Sequence, residues 1–274
     1  MKRILSTIAM VAVLCAANAQ KVSETVTLYG KEQLNGFTIN IHDVAHDIVE
    51  GAIVDKLENN MNLKGKKNKG YHVYMNQPCP TFGESRYDIY FTTQEVGKKK
   101  NRSVQVTLVV STGNQNCITY SNDPRTARNI TYFLENLDKD VQAYAIKLKI
   151  DELKAKIATL EKERESLTKE QTKITDKLNK TNDNIKDASS QIITKNAEIT
   201  QLQEKYTESH DPAIKEQIAK TTKETQTLQK SQTSMRKSLL GMNNDLEKVR
   251  KKIGINENNI EKTRKELKEV ESKR

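Results

Sequence analysis

Apolar residues repeat every seven positions through the second half of this 274-residue chain, and no other feature restricts its fold so strongly. One phase places Ile146, Leu153, Leu160, Leu167, Ile174, Ala188 and Leu202 at d, and Ile150, Ile157, Leu178, Ile185, Ile192, Ile199 and Tyr206 at a. Fourteen of its eighteen seam positions are apolar against 35% for the whole chain, so nine sustained heptads argue for a coiled coil. His210-Asp211-Pro212 interrupts the pattern, because proline cannot continue a helix but suits the first position of a new one, with Asp as its cap. A second phase then runs from Ile214 and Ile218 to Val270 and Leu267, with twelve of eighteen seam positions apolar. Two helices of similar length with a short break between them bury both stripes by folding back as an antiparallel hairpin. About sixty residues per helix at about 1.5 Å rise make a rod near 90 Å long, expected to project from the preceding domain.

Polar residues in the seam choose between registers. With facing residue numbers summing to about 420, Arg164 meets Asn256 and Lys195 meets Thr225; one heptad further, Gln171 meets Asn256 and Lys195 meets Gln232. The first is preferred on turn length, and Arg164, Gln171, Lys195 and Asn256 are read as residues that fix register.

The preceding residues are of another kind. Eleven of thirteen aromatics and eight of ten glycines lie before residue 141, so a packed core with turns is expected only there. Alternating runs at Val26–Leu28, Phe37–Ile41, Tyr71–Met75, Tyr87–Thr93, Val104–Ser111 and Cys117–Tyr120 read as strands. A helix pattern runs from Val44 to Met61, Leu63–Gly70 reads as a lysine-rich turn, and Asp123-Pro124 opens another helix. The order ββ-α-ββββ-α is an α+β fold with a small, mostly antiparallel sheet. Long helices lying on such a sheet resemble helix-grip and TBP-like folds in topology, a likeness that carries no functional residues.

Met1-Lys2-Arg3, the apolar stretch Ile4–Ala17 and Ala17-Asn18-Ala19 form the basic, apolar and cleavage regions of a secretory signal peptide of bacterial type. Leu14 before Cys15 argues against lipidation, and the expected location is periplasmic or secreted. In an oxidising compartment the remaining pair, Cys79 and Cys117, is expected as one disulfide, which would contribute about 4 kcal/mol by loop closure. The expected division is 1–19 signal peptide, 20–144 α+β domain, 145–209 first coil helix, 210–213 turn and 214–274 second coil helix.

His42, His46 and Glu50 fall at i, i+4 and i+8, the spacing of a helical zinc site, but Asp43 stands where a metallopeptidase glutamate would be. The reading adopted is an ordinary helical first turn, with no catalytic residues, metal or cofactor. Nucleophile elbows, phosphate loops, dinucleotide fingerprints and C-x-x-C pairs do not occur, so no enzyme is expected. Two basic groups, Lys64, Lys66, Lys67 and Lys69, and Lys98, Lys99, Lys100 and Arg102, flank strands read as neighbours and could meet anionic envelope components. Their simpler role is edge protection and solubility. Of the formal net charge of +10, the coil carries +7 spread along its length, so nucleic acid is not an expected partner.

The hairpin is similar to those of periplasmic adaptor subunits of efflux assemblies and of coiled-coil activators of murein hydrolases. It lacks the lipoyl-like halves of the former and the peptidase-type metal motif of the latter, so neither role is carried across. The expectation is a structural or interaction protein of the cell envelope, using the coil as spacer, scaffold or docking rod, with its tip at Glu208, Ser209, His210 and Asp211. The alternative is a periplasmic module binding a small ligand or cell-wall fragment, with the coil used for homo-oligomerisation.

Overall fold

The computed structural model describes residues 21–97, 102–113 and 116–274. The leader read at Met1–Ala19 and the lysines Lys98, Lys99 and Lys100 lie outside the described residues. β1 (Ser23–Tyr29) and β2 (Glu32–His42) precede α1 (His46–Val54), which runs into a π-helical turn, Asp55–Asn60. β3 (Lys66–Asn68), β4 (Tyr71–Pro78), β5 (Arg86–Val96) and β6 (Ser103–Ser111) follow, then α2 (Pro124–Glu135), α3 (Leu137–Ser209) and α4 (Pro212–Glu271). The six strands form one antiparallel sheet in the order β1-β2-β6-β5-β4-β3. The fold is α+β with a long antiparallel helical hairpin, and the chain divides into two compact units between Leu148 and Lys149.

Local chemistry explains the turns. Gly30 at φ 69° opens the two-residue β1–β2 hairpin, and Lys69-Gly70, at φ 49° and 81°, makes the doubly left-handed turn that suits a β3–β4 hairpin. Asp123 caps α2 by accepting from Thr126 N at 3.0 Å, with Pro124 at its first position. Asn136 separates α2 from α3: its side chain donates to Tyr132 O at 2.8 Å while its own carbonyl starts the next turn by accepting from Lys139 N and Asp140 N.

Strand alternation sends Phe37, Ile39 and Ile41 of β2, Ile89 and Phe91 of β5, and Val104, Val106, Leu108 and Val110 of β6 toward the helices. There they pack with Val49 and Ile53 of α1, Ile130, Phe133 and Leu134 of α2, and Leu137 and Val141 at the start of α3. A second, smaller core on the opposite face joins Leu34, Val109 and Cys117 with Tyr29 and Tyr90. The sheet coils enough for its first strand to meet its last two: Thr27 of β1 hydrogen-bonds Tyr71 of β4 at 2.6 Å, and Asn68 of β3 donates to the Tyr29 hydroxyl at 2.8 Å.

Three expectations are corrected here. Cys79 and Cys117 are not bridged; both are free and buried, because Cys79 packs in the helix-side core and Cys117 in the opposite one, leaving the sheet between them. The sixth strand is Lys66–Asn68, read above as turn, whereas Cys117–Tyr120 makes only a single bridge from Cys117 to Ser111 before Asn122 turns it into α2. His42 does not share a helical face with His46 and Glu50, since it ends β2 opposite Ser103 and α1 begins only at His46.

Candidate functional site

The seam of the long helices follows from the heptads. Of thirty-six positions assigned to it, thirty-four are buried or half-buried, the exceptions being Arg164 and Arg274. All eleven buried residues from Lys149 onward are seam residues, from Ile150 and Leu153 to Ile260 and Thr263. Side-chain pairs across the helices fix their antiparallel alignment. Lys195 Nζ lies 2.5 Å from Glu224, Gln232 donates to Ser189 Oγ at 2.5 Å, and Asn256 Nδ2 donates to Glu163 at 3.1 Å. Arg264 reaches Glu161 at 2.6 Å further along. Lys195 therefore lies beside Glu224 rather than Gln232, Asn256 bonds the neighbour of Arg164, and Gln171 is half-buried, its backbone carbonyl accepting from the Thr175 hydroxyl at 2.9 Å. Asn256 Oδ1 is buried without a hydrogen bond, the one such side-chain atom among the described residues.

The turn between the helices is compact and exposed from Thr207 to Ala213. His210 takes a left-handed conformation at φ 55°, which ends α3 as a glycine or asparagine would, and its ring stacks on Tyr206 at 6.0 Å. Ser209 Oγ accepts from Asp211 N at 3.3 Å, and Asp211 Oδ1 caps α4 by accepting from Ala213 N at 2.8 Å. Glu208 points into solvent beside them.

Within the α+β unit, Glu50 is the centre of a charged cluster. Its Oε1 accepts from Lys67 Nζ and from His72 Nε2, both at 2.6 Å, while His46 Nδ1 lies 3.9 Å from its second oxygen. His46 is turned away, hydrogen-bonding the carbonyl and hydroxyl of Thr93 at 3.1 and 2.9 Å, and His72 stacks on Phe91 at 4.5 Å. The Lys67 hydrogen bond, working against desolvation and aided by His72, holds the Glu50 carboxyl below its ordinary value. The cluster ties α1 to β3, β4 and β5. Among the described residues no group of three His, Cys, Asp or Glu side chains is arranged to hold a metal ion.

Burial pushes the thiols of Cys79 and Cys117 up, which favours unreactive, protonated sulfur. The basic residues do not form one patch among the described residues. β4 separates β3, with Lys66 and Lys67, from the β5–β6 hairpin. Lys67 is engaged by Glu50, Lys69 lies over the Tyr29 ring at 4.8 Å, and Arg102 pairs with Glu95 at 3.6 Å, while Lys64 and Lys66 are exposed. His72 and Thr93, which complete the Glu50 cluster, carried no sequence signal because they come from strands whose register decides which face they occupy.

No helix among the described residues is long and apolar enough to cross a membrane. Comparison with family models, curated proteins and solved structures returns no match.

Proposed function

We propose that this chain is an exported structural or interaction protein of the cell envelope, whose hairpin acts as a spacer and docking rod. The observation that carries the reading is the seam. Its apolar residues are covered by the opposite helix of the same chain, which leaves the surface beyond the seam largely charged and its turn exposed. A hairpin completed within one chain needs no second copy to bury its stripe, so its exposed turn is the natural point of contact for another molecule. The leader pattern at Met1–Ala19 supports export. The Glu50 cluster, an anchor between helix and sheet, supports a structural rather than a chemical task for the α+β unit.

Photo-cross-linking in intact cells tests the reading, with a photoreactive residue placed singly at Glu208 and at the exposed positions Ile193 and Leu240. The expected result is a discrete adduct with a different envelope protein from Glu208 and weaker adducts from the other two. Adducts of the chain only with its own copies, equally strong at all three sites, would overturn it in favour of homo-oligomerisation.

A further inference from the structure

A cavity of about 610 Å³ opens between the β4–β5 connection and the first turn of α2. Prolines Pro78 and Pro80 line one side, and Arg125 and Asn129 come from the helix. Its most informative lining residue is Tyr87. Only 3% of this residue is exposed, yet its hydroxyl makes no hydrogen bond among the described residues. The hydroxyl oxygen itself is not sealed off but open to the cavity, so a molecule held there can reach it. Tyr87 packs edge-on to Phe82 at 6.3 Å, and a Cβ on Gly83 would stand 2.4 Å from its oxygen. The absence of a side chain at Gly83 thus keeps the hydroxyl clear on the cavity side.

The remaining polar groups decide what could satisfy it. The first-turn amide of Thr126 is already spent on Asp123, so the helix end offers no vacant anion cradle. Asn129 donates from Nδ2 to Phe82 O at 2.9 Å, and its Oδ1 accepts nothing among the described residues. Arg125 and Glu84 stand exposed at the rim with opposite charges, while Asp123 adds a second negative one. An anion would therefore meet more negative than positive charge. The available set is a phenolic hydroxyl that both donates and accepts, an amide acceptor, a guanidinium donor and a carboxylate acceptor, set beside proline rings. Hydroxyl groups, each at once donor and acceptor, match such a mixed set, and the hydrocarbon side of a sugar ring suits the prolines.

We infer that this cavity is a binding site for a neutral, hydroxyl-rich ligand, a mono- or disaccharide, with Tyr87 as the buried hydrogen-bonding anchor. The site stands on its own residues and does not depend on what the hairpin does.

The test is titration calorimetry of the full mature chain with N-acetylglucosamine, glucose, chitobiose and cellobiose, each to about 10 mM, and with inorganic phosphate as the anion probe. At least one sugar is expected to bind, with saturation, and phosphate is not. Tyr87→Phe keeps the ring and its contact with Phe82, so it is expected to leave the thermal midpoint nearly unchanged while weakening that sugar by about tenfold. Gly83→Val, which fills the space before the hydroxyl, is expected to abolish binding. Absence of binding for all four sugars, preferential binding of phosphate, or a sugar affinity that Tyr87→Phe leaves intact would each overturn the proposal. Wild-type and variant circular dichroism spectra that superimpose exclude misfolding as the cause of any loss.

Discussion

The α+β unit and the hairpin bury apolar residues in different ways. In the sheet unit Phe37, Ile41, Ile53, Ile89, Phe91 and Ile130 are wholly enclosed, each surrounded by strands and helices at once. In the hairpin most seam residues stay half-exposed, because each helix has a single neighbour and water reaches the flanks of every layer. One region concentrates its stability in a few residues that cannot be trimmed. The other spreads it over repeated, small contributions and tolerates polar residues such as Thr221, Thr225 and Asn256 inside its seam.

The most direct way to break that contrast is a matched pair of truncations. Phe91→Ala, at a wholly buried position, is expected to cost about 3–5 kcal/mol, and Leu160→Ala, half-buried in the seam, about 1–2 kcal/mol. The two regions report separately in one denaturant titration. The chain has no Trp and eleven of its thirteen aromatics precede residue 141, so near-ultraviolet dichroism follows the sheet unit while the 222 nm signal is mostly hairpin. Phe91→Ala should move the first signal and Leu160→Ala the second. If either variant shifts both by the same amount, the regions unfold as one cooperative body and the contrast fails.

A seam that tolerates polarity should also gain from losing it. Asn256 is 4% exposed with its Oδ1 unsatisfied, so Asn256→Leu is expected to raise hairpin stability by about 1–2 kcal/mol. The same change should relax alignment, read as weaker oxidative trapping of cysteines placed at Ser189 and Gln232, which face each other in the native pairing. A lower midpoint at 222 nm would mean that the Asn256 bond to Glu163 outweighs the buried oxygen.

The same difference explains what could be read in advance. Heptads are local, and each seam residue announces its burial by spacing alone, so both helices and the turn at Asp211-Pro212 follow from the sequence. Sheet contacts are not local. Lys66–Asn68 is three exposed residues of poor strand propensity, made into β3 by the Lys69-Gly70 turn and its pairing with Tyr71–Val73. The Cys79 and Cys117 pairing failed for a related reason, since parity of cysteines says nothing about which side of a sheet each occupies. The histidine spacing at His42, His46 and Glu50 presumed a helix that had not yet begun, and the partners Glu50 actually has come from strands well after it. Tyr87 gave no signal either, because a hydroxyl left open to a cavity is a property of its surroundings.

Capping offers a smaller test of the hairpin. Asp211→Ala removes the acceptor for Ala213 N and is expected to cost about 1 kcal/mol at 222 nm, with the near-ultraviolet transition unchanged. A loss several times larger would mean that the turn nucleates the pairing of both helices rather than ending one of them.

The smallest expected effect belongs to the sheet unit and depends on pH. Lys67 first, then His72, lower the Glu50 carboxyl below its ordinary value of 4.5 in the folded chain. A depressed folded value means that the unfolded chain binds the proton more readily. The stabilisation is therefore complete well above 4.5 and is lost as pH falls below it through the folded value. Glu50→Gln keeps the shape but not the charge, so the near-ultraviolet midpoints of wild type and variant should differ at neutral pH and converge in acid. Asp55, lowered mainly by Lys147 and then Asn59, remains in both proteins and cancels from the comparison. A difference that persists undiminished well below pH 4.5 would show that the carboxylate charge is not what holds α1 to β3 and β4. Because the group lies in the unit whose stability is concentrated, the 222 nm signal of the hairpin should show no such convergence.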